Sequence, residues 1–309
     1  MATVPLEWCA YPPAECTGGA VTVGNFDGVH RGHQALVATA RRHADRVRGP
    51  AVVVTFDPPP HLVLHPDAAP RSPLTTLADR AELLHQAGAD HVVILRTSPA
   101  LLALSAEAFF EDVIARQLGA KAVVEGYDFR FGRGRAGTNA TLRELCAAAG
   151  LAFEEVAPVT YRDEPVSSSR VRSALVNGDV ARAAELLARP YRIAGTVVTG
   201  AKRGRTIGFP TANLADVPTV LPGNGVYAVR AEVDGRAWPG AANVGPNPTF
   251  AEDARKVEVH LIDFAGDVYG QPMAVEFVSR LRDTRPFAGA AELVAQLQKD
   301  VEAARAAVG

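Results

Sequence analysis

The stretch Val21-Thr22-Val23-Gly24-Asn25-Phe26-Asp27-Gly28-Val29-His30-Arg31-Gly32-His33 constrains this chain more than any other. A short β-rich run ends in a glycine-punctuated turn, after which Leu36, Val37 and Ala40 fall at helical spacing; the segment reads as strand, tight loop and helix. His30 and His33 share one face at the start of that helix, where free backbone N–H groups and the positive end of the dipole favour an anion. The local chemistry points to phosphate. With glycines four apart and histidine in place of lysine, the segment fits neither G-x-x-x-x-G-K-[ST] nor G-x-G-x-x-G. Two other readings stay open at this point, a metal-binding pair and a solvated helix end. Zinc would need a third ligand, and no cysteine/histidine cluster lies nearby in the sequence.

The 309 residues, 48% of them hydrophobic, suffice for two buried cores. A net charge of −2 gives no general attraction to nucleic acid or to an anionic membrane, so the expected partners are small molecules. No apolar run approaches a membrane span, and Met1 to Cys16 lacks a basic start and a continuous apolar core, so the expected location is cytoplasmic. Cys9, Cys16 and Cys146 are widely spaced with no C-x-x-C, as reduced bystanders would be. Nothing in the sequence reports an oligomeric state. Up to about Leu187 the chain alternates β-rich and helical runs, and beyond Arg189-Pro190 it turns to strands and Gly/Pro turns. This texture predicts a domain over 1–188 and another over 189–309.

In the first half, Ala51 to Phe56 suits a buried parallel strand and gives the β-α-β order of an open α/β sheet. Asp57-Pro58-Pro59-Pro60-His61 stops it where ligands collect in such sheets, as either a site wall or a stiff loop. Ser72 to Ala87 reads as a scaffold helix with Thr75 or Thr76 as N-cap, and His91–Leu95, Ala106–Leu118 and Ala122–Val124 continue the alternation. Just past a strand end, Asp128 is placed to accept hydrogen bonds from adenine or ribose, to help hold a metal, or simply to form a turn. Gly132 to Gly137 reads as a flexible basic loop, either closing over phosphates or solvated. Pro165 to Arg172 opens a helix with a hydroxyl-rich cap, either an ordinary cap or, with its amides, Ser168, Ser169 and Arg172, a second anion cradle.

The pattern G-N-F-D-G-x-H-x-G-H resembles the H-x-G-H nucleotidyltransferase superfamily, and its wording is similar to the flavin adenylyltransferase half of bacterial bifunctional riboflavin kinase/FAD synthetases. The resemblance implies a Rossmann-like α/β domain in which His30, His33 and Arg172 are catalytic. It also implies that Gly24, Asn25, Phe26, Asp27, Gly28, Gly32, Asp128, Ser168 and Ser169 bind ATP and its phosphates. Two positions depart from the family's usual pattern: Pro59 stands in the place of the histidine of F-x-P-H-P, and Ser169 where threonine is commoner.

In the second half, Tyr191 to Thr199 reads as a strand and Gly200 to Gly208 as a basic glycine loop running into Phe209-Pro210-Thr211-Ala212-Asn213. The Thr211 hydroxyl and Asn213 amide oxygen are neutral hard ligands that suit Mg²⁺ when ATP phosphates supply the charge, or else are turn residues. Gly225–Val233, the turn Asp234-Gly235, Arg236–Val244, Lys256–Phe264 and Met273–Leu281 predict a small antiparallel barrel, and a helix from Ala290 with Leu293, Leu297 and Val301 packs on it. Glu258, between Val257 and Val259, faces away from the barrel core. The combined G-x-x-x-G-R-x-x-G-F-P-T-A-N resembles the riboflavin kinase signature very closely. That resemblance implies Glu258 as the base in V-E-x-H-L-x-D-F, Thr211 and Asn213 as metal ligands, and Gly200, Lys202, Gly204, Gly208, Phe209, Pro210, Asn243 and Arg282 in ATP and flavin binding. The segments Asn243 to Phe250 and Arg280 to Arg282 match further family segments.

Together the two resemblances imply an enzyme that uses MgATP to convert riboflavin to FMN and FMN to FAD. Pro59 and Ser169 motivate one alternative, a riboflavin kinase whose N-terminal domain has lost or altered its transferase activity. Another is a flavin- or nucleotide-sensing protein without turnover, against which Thr211, Asn213 and Glu258 speak.

Overall fold

The apolar runs read as strands become the buried middle of a parallel sheet, because strands covered on both faces by helices have no solvent side to keep polar. The computed structural model describes residues 1–67, 71–200, 203–247 and 252–309. The chain divides into two units, one of Met1–Arg71 and Thr75–Val166, the other of Ser72–Leu74 and Ser167–Gly309.

In the first unit the strands β1 (Ala2–Leu6), β2 (Ala20–Val23), β3 (Ala51–Asp57), β4 (His91–Arg96), β5 (Ala122–Gly126) and β6 (Ala152–Val156) form a sheet in the order β1-β4-β3-β2-β5-β6, every neighbour parallel. Its helices are α1 (Arg31–Val47), α2 (Pro60–Leu64), α3 (Leu77–Gln86), α4 (Pro99–Ala103), α5 (Ala106–Phe109), which runs on as a π-helical stretch Phe110–Gln117, and α6 (Asn139–Ala149). A short hairpin, β7 (Thr160–Tyr161) with β8 (Glu164–Pro165), closes the unit. The strand pleat divides the valines: Val53 and Val92 pack with Val37 and Leu84, whereas Val52, Val54 and Val123 pack with Phe110, Ile114 and Leu142. Full burial of each such side chain contributes about 1.5–3 kcal/mol. Neither β1 nor β6 is among the strands expected from the sequence; both lie at sheet edges, where Pro5 of β1 is tolerated and the half-exposed β6 needs no continuous apolar run.

The second unit begins with α7 (Ser168–Val176) and α8 (Val180–Leu187). A closed barrel follows, built from β9 (Tyr191–Val198), β10 (Ala212–Ala215), β11 (Gly225–Val233), β12 (Arg236–Asn247), β13 (Glu252–Leu261) and β14 (Pro272–Arg282) in the order β10-β13-β12-β11-β14-β9. Tyr227 and Phe277 meet edge to face at 5.3 Å in its buried interior. A short helix α9 (Arg203–Thr206) precedes β10, and α10 (Ala290–Val308) lays Val301, Ala304 and Val308 against Ala228, Ile262 and Leu281. The α/β-plus-barrel fold expected from the sequence is the one observed.

The segment Gly132 to Gly137, read as a basic loop, is exposed from Arg133 to Ala136 and anchored at its two ends. Arg133 N–H bonds the Leu104 carbonyl at 2.7 Å, and Phe131 and Gly137 exchange backbone hydrogen bonds at 3.2 and 2.9 Å. Gly132 has a φ of 71°, and a Cβ on it would lie 2.5 Å from the Ala106 nitrogen. Gly132→Ala is therefore expected to cost about 2–4 kcal/mol and to lower the midpoint of the first unit's transition in scanning calorimetry; an unchanged midpoint would contradict the packing described.

Candidate active sites in the two units

Toward their carboxyl ends β2 and β5 part. β2 pairs with β3 as far as Val23 opposite Val54, but with β5 only as far as Val21 opposite Val123. The chain leaves β2 for β3 on one side and β5 for β6 on the other, which makes this gap the topological switch point where α/β sheets bind ligands. The loop from Gly24 to His30 leaves β2 here with positive φ at Phe26 (48°), Gly28 (85°) and Val29 (41°), strained values for the two non-glycines. Several bonds hold it in that shape. Gly24 N–H reaches the Val54 carbonyl at 3.0 Å and the Thr55 hydroxyl donates to the Asn25 carbonyl at 3.2 Å. Gly28 N–H donates to the Thr75 hydroxyl at 3.2 Å, and Thr75 N–H to Asp27 Oδ1 at 3.3 Å.

His30 is the N-cap of α1, its Nδ1 accepting the His33 N–H at 3.4 Å. The two imidazoles stack with centroids 3.6 Å apart, and Phe26 meets His33 edge-on at 5.1 Å. Gly32 leaves room for this stack: a Cβ there would stand 3.1 Å from His30 Cε1. His33 Nδ1 is buried without a hydrogen-bond partner. Burial first, then His30 and Arg80, hold His33 well below the ordinary imidazole value of 6.5, so it is neutral at neutral pH. An arriving polyanion would favour its protonated form.

Arg80 was not singled out by the sequence reading, although Thr76 is the N-cap expected for its helix α3. The arginine is 4% exposed, with Nη2 3.7 Å from Asp27 Oδ1 and Nε buried without a partner. Burial lowers its pKa, and the carboxylates of Asp27 and Asp57 oppose that shift. The signal was present: Leu77, Arg80, Ala81 and Leu84 fall on one helical stripe, so a cation occupies a position that periodicity assigns to the core.

Elsewhere in this unit Asp128 is exposed just past β5, where the Asn139 amide donates to the Gly126 carbonyl at 2.9 Å. Pro59 precedes α2, and His61 on that helix is exposed. The Ser168–Ser169–Arg172 segment belongs to the second unit. There Ser167 caps α7 by accepting Arg170 N–H at 3.3 Å, and Arg172 Nη1 donates to the Ser72 carbonyl at 2.5 Å. Ser168 is half-buried and Ser169 exposed.

In the barrel, Asn213 of β10 lies opposite Glu258 of β13, and Glu258 opposite Asn243 of β12. The three form one row. The rows on either side, Ala212–Val259–Ala242 and Leu214–Val257–Val244, are buried inside, so the polar row faces outward, as expected for Glu258. Asn213, read as a possible turn residue, is in a strand. A Cβ on Gly200 would lie 2.3 Å from Asn213 Nδ2, and one on Gly204 2.2 Å from the Phe209 carbonyl oxygen, so both glycines are sites of close approach. Gly208 takes a φ of 87°, and Thr211 is half-buried directly before β10.

His260, two residues beyond Glu258 on β13, donates from Nδ1 to the Pro210 carbonyl at 2.8 Å and meets Phe209 edge-on at 5.5 Å. It fixes the G-F-P-T turn to the strand that carries Glu258, and it is the histidine of the V-E-x-H-L-x-D-F pattern. Arg282 is clamped to α10: its Nε lies 2.9 and 3.1 Å from the two Asp300 carboxylate oxygens and its Nη2 2.7 Å from Oδ2. Lys202 and the stretch Pro248 to Phe250 lie outside the described residues. Among the described residues no group of three or more His, Cys, Asp or Glu could hold a metal.

Two stacked histidines at a helix N-terminus beside the switch point of an α/β sheet, and glycines packed close to an outward polar row on a barrel, are the arrangement expected of a two-unit enzyme of phosphate chemistry. The FAD synthetase family profile matches residues 13–170 and the riboflavin kinase profile residues 187–308. The bifunctional riboflavin kinase/FMN adenylyltransferase of Pseudomonas fluorescens is 40% identical over 293 residues, 94% of each chain, and that of Bacillus subtilis 39% identical over 289 residues, 92% of this chain and 90% of its own. The chain belongs to the bifunctional riboflavin kinase/FMN adenylyltransferase family. A crystal structure named as a macrolide-efflux protein of Streptococcus pneumoniae shares the fold over 98% of both chains, with a TM-score of 0.88 and 33% identity. Among the described residues no helix is long and apolar enough to cross a membrane.

The depressed His33 pKa fixes a pH dependence. As pH falls through about 6.5 toward the folded value, the unfolded chain takes up a proton that the native chain resists, so stability falls. His33→Gln is expected to make the drop in the first unit's melting midpoint between about pH 7 and pH 5 shallower; identical slopes for variant and parent would show that His33 is not buried neutral.

Proposed function

We propose that the barrel unit phosphorylates riboflavin to FMN and that the α/β unit transfers an adenylyl group from ATP to FMN, giving FAD. The observation that carries the reading is the stacked His30–His33 pair at the switch point, in a chain whose relatives over nearly their whole length are named bifunctional enzymes. That pair favours two activities over a kinase with a silent N-terminal unit, even with Pro59 supplying no side-chain donor. Functional domains over 1–188 and 189–309 follow, acting on small molecules in the cytoplasm and not on nucleic acid or membrane.

In adenylyl transfer an FMN phosphate oxygen attacks the α-phosphorus of ATP in line and pyrophosphate leaves, with no covalent enzyme intermediate. Catalysis is then positioning and charge stabilisation. His30, His33 and Arg172 stabilise the leaving pyrophosphate, Gly24 to Gly28 and Gly32 let the backbone approach the nucleotide, and Asp128 accepts from adenine or ribose. Ser168 and Ser169 add anion donors, on the strength of their segment's resemblance to the family pattern.

In the kinase step the ribityl 5′-oxygen attacks the γ-phosphorus, ADP leaves, and Glu258 accepts the hydroxyl proton. Gly200, Lys202, Gly204 and Gly208 cover the ATP phosphates, while Phe209, Pro210, Asn243 and Arg282 shape the nucleotide and flavin sites. Thr211 and Asn213 would hold Mg²⁺, which when bound offsets phosphate charge; the absence of a side chain on Gly200 leaves the Asn213 amide room for that role.

Separating flavins by chromatography after incubation with ATP and Mg²⁺ tests both halves. Glu258→Gln is expected to lower FMN formation by about 10²-fold or more and to leave adenylylation of supplied FMN intact, and His33→Ala the reverse. Equal loss of both activities in either variant would refute separate sites, and FMN accumulating without FAD in the parent would leave only the kinase.

A further inference from the structure

We propose that Glu125 is a positioning residue for adenylyl transfer, its carboxyl bridging the gap between β2 and β5 and fixing the point from which the Gly24–His33 loop departs. The inference rests on the adenylyltransferase reading of that loop. Beyond Val21 and Val123 the two strands no longer share a ladder, while each stays paired on its outer flank as far as Val23 and Gly126. Glu125 fills the place of the missing ladder. Its Oε1 accepts the Val23 N–H at 2.7 Å, one residue before Gly24, and the side chain is 1% exposed.

A glutamate is a costly choice for a buried strand position unless its acceptor oxygen is used. Among the described residues no cation pairs with it. Burial pushes the carboxyl well above its ordinary 4.5, with the Val23 N–H opposing; burial first, and the Glu125 carboxylate when ionised second, raise the Cys146 thiol to about 11. A neutral acid or an amide of the same shape therefore meets the need, whereas an apolar side chain of similar size leaves the Val23 N–H buried and unpaired. The loop start would then shift, and with it the amides and the histidine pair that meet the nucleotide.

The test compares full-length parent, Glu125→Gln and Glu125→Met for steady-state FAD formation from FMN and MgATP, with riboflavin phosphorylation as internal control. Glu125→Gln is expected to keep the KM for ATP within about twofold, and Glu125→Met to raise it about tenfold or more with kinase turnover unchanged. A Glu125→Met enzyme with parental KM, whether or not it melts earlier, would reduce Glu125 to packing and overturn the proposal. A large loss in Glu125→Gln would overturn it too, by showing that the ionisable carboxyl itself is needed. Should Glu125→Met lack the first unit's melting transition, amide exchange at Val23 decides: protection in parent and Glu125→Gln supports the bridge, and rapid exchange in the parent removes it. A parent that makes FMN but no FAD would instead count against the adenylyltransferase reading, whatever the exchange data show.

Discussion

The parting of β2 from β5 is the constraint on which the first unit's chemistry depends. A parallel sheet binds ligands where neighbouring strands send their connections to opposite sides, since no crossover helix covers that edge. Here the ladder stops two residues short of the end of β2, and the backbone group it strands is satisfied by the Glu125 carboxyl. Leaving such a buried N–H unmade would cost about 1–3 kcal/mol. The gap is thus held open by a designated acceptor, and the loop that starts from it can carry Phe26 and Val29 at positive φ because the Thr75, Asp27 and Thr55 bonds over-determine its path.

Both units place glycine where the backbone comes close to a ring, an amide or a carbonyl. Gly32 makes room for the His30 ring, Gly200 for the Asn213 amide and Gly204 for the Phe209 carbonyl. The shared physical requirement is close approach: a Cβ at any of these positions would displace the ring, amide or carbonyl beside it. Charge is handled differently in the two. The α/β unit keeps His33 neutral by burial beside a fixed arginine, whereas the barrel sets Glu258 on an outward row between two amides.

The sequence made legible whatever follows from periodicity and local motif. Continuous valine runs marked the central strands, period-2 alternation marked the barrel, and the outward face of Glu258 followed from its two valine neighbours. What it hid depends on neighbours distant in the chain. β1 and β6 are strands because a partner offers an edge, not because their residues demand it. Arg80 and Glu125 look like scaffold in a one-dimensional reading, and only tertiary pairing puts one beside Asp27 and the other against Val23. His260 was visible two residues from Glu258, but its purpose required knowing that the Pro210 carbonyl would lie across from it. Arg282 was expected near flavin; its engagement with Asp300 depends on where the last helix docks.

That last pair bears on how a small barrel keeps a site in shape. Asp300 is 3% exposed, and three close contacts to Arg282 tie the end of β14 to α10. Breaking a buried pair by removing one partner strands the other charge, so the interaction resists piecemeal loss even where a fully apolar replacement would be as stable. Register carries the consequence inward: Arg282 pairs with Val226, Val226 with Asn243, and Asn243 with Glu258. The helix therefore fixes one end of a continuous row whose other end holds Glu258 and Asn213. A helix read from its apolar spacing as mere cover for the barrel is, by this chain of pairings, a support for the outward row of Asn243, Glu258 and Asn213.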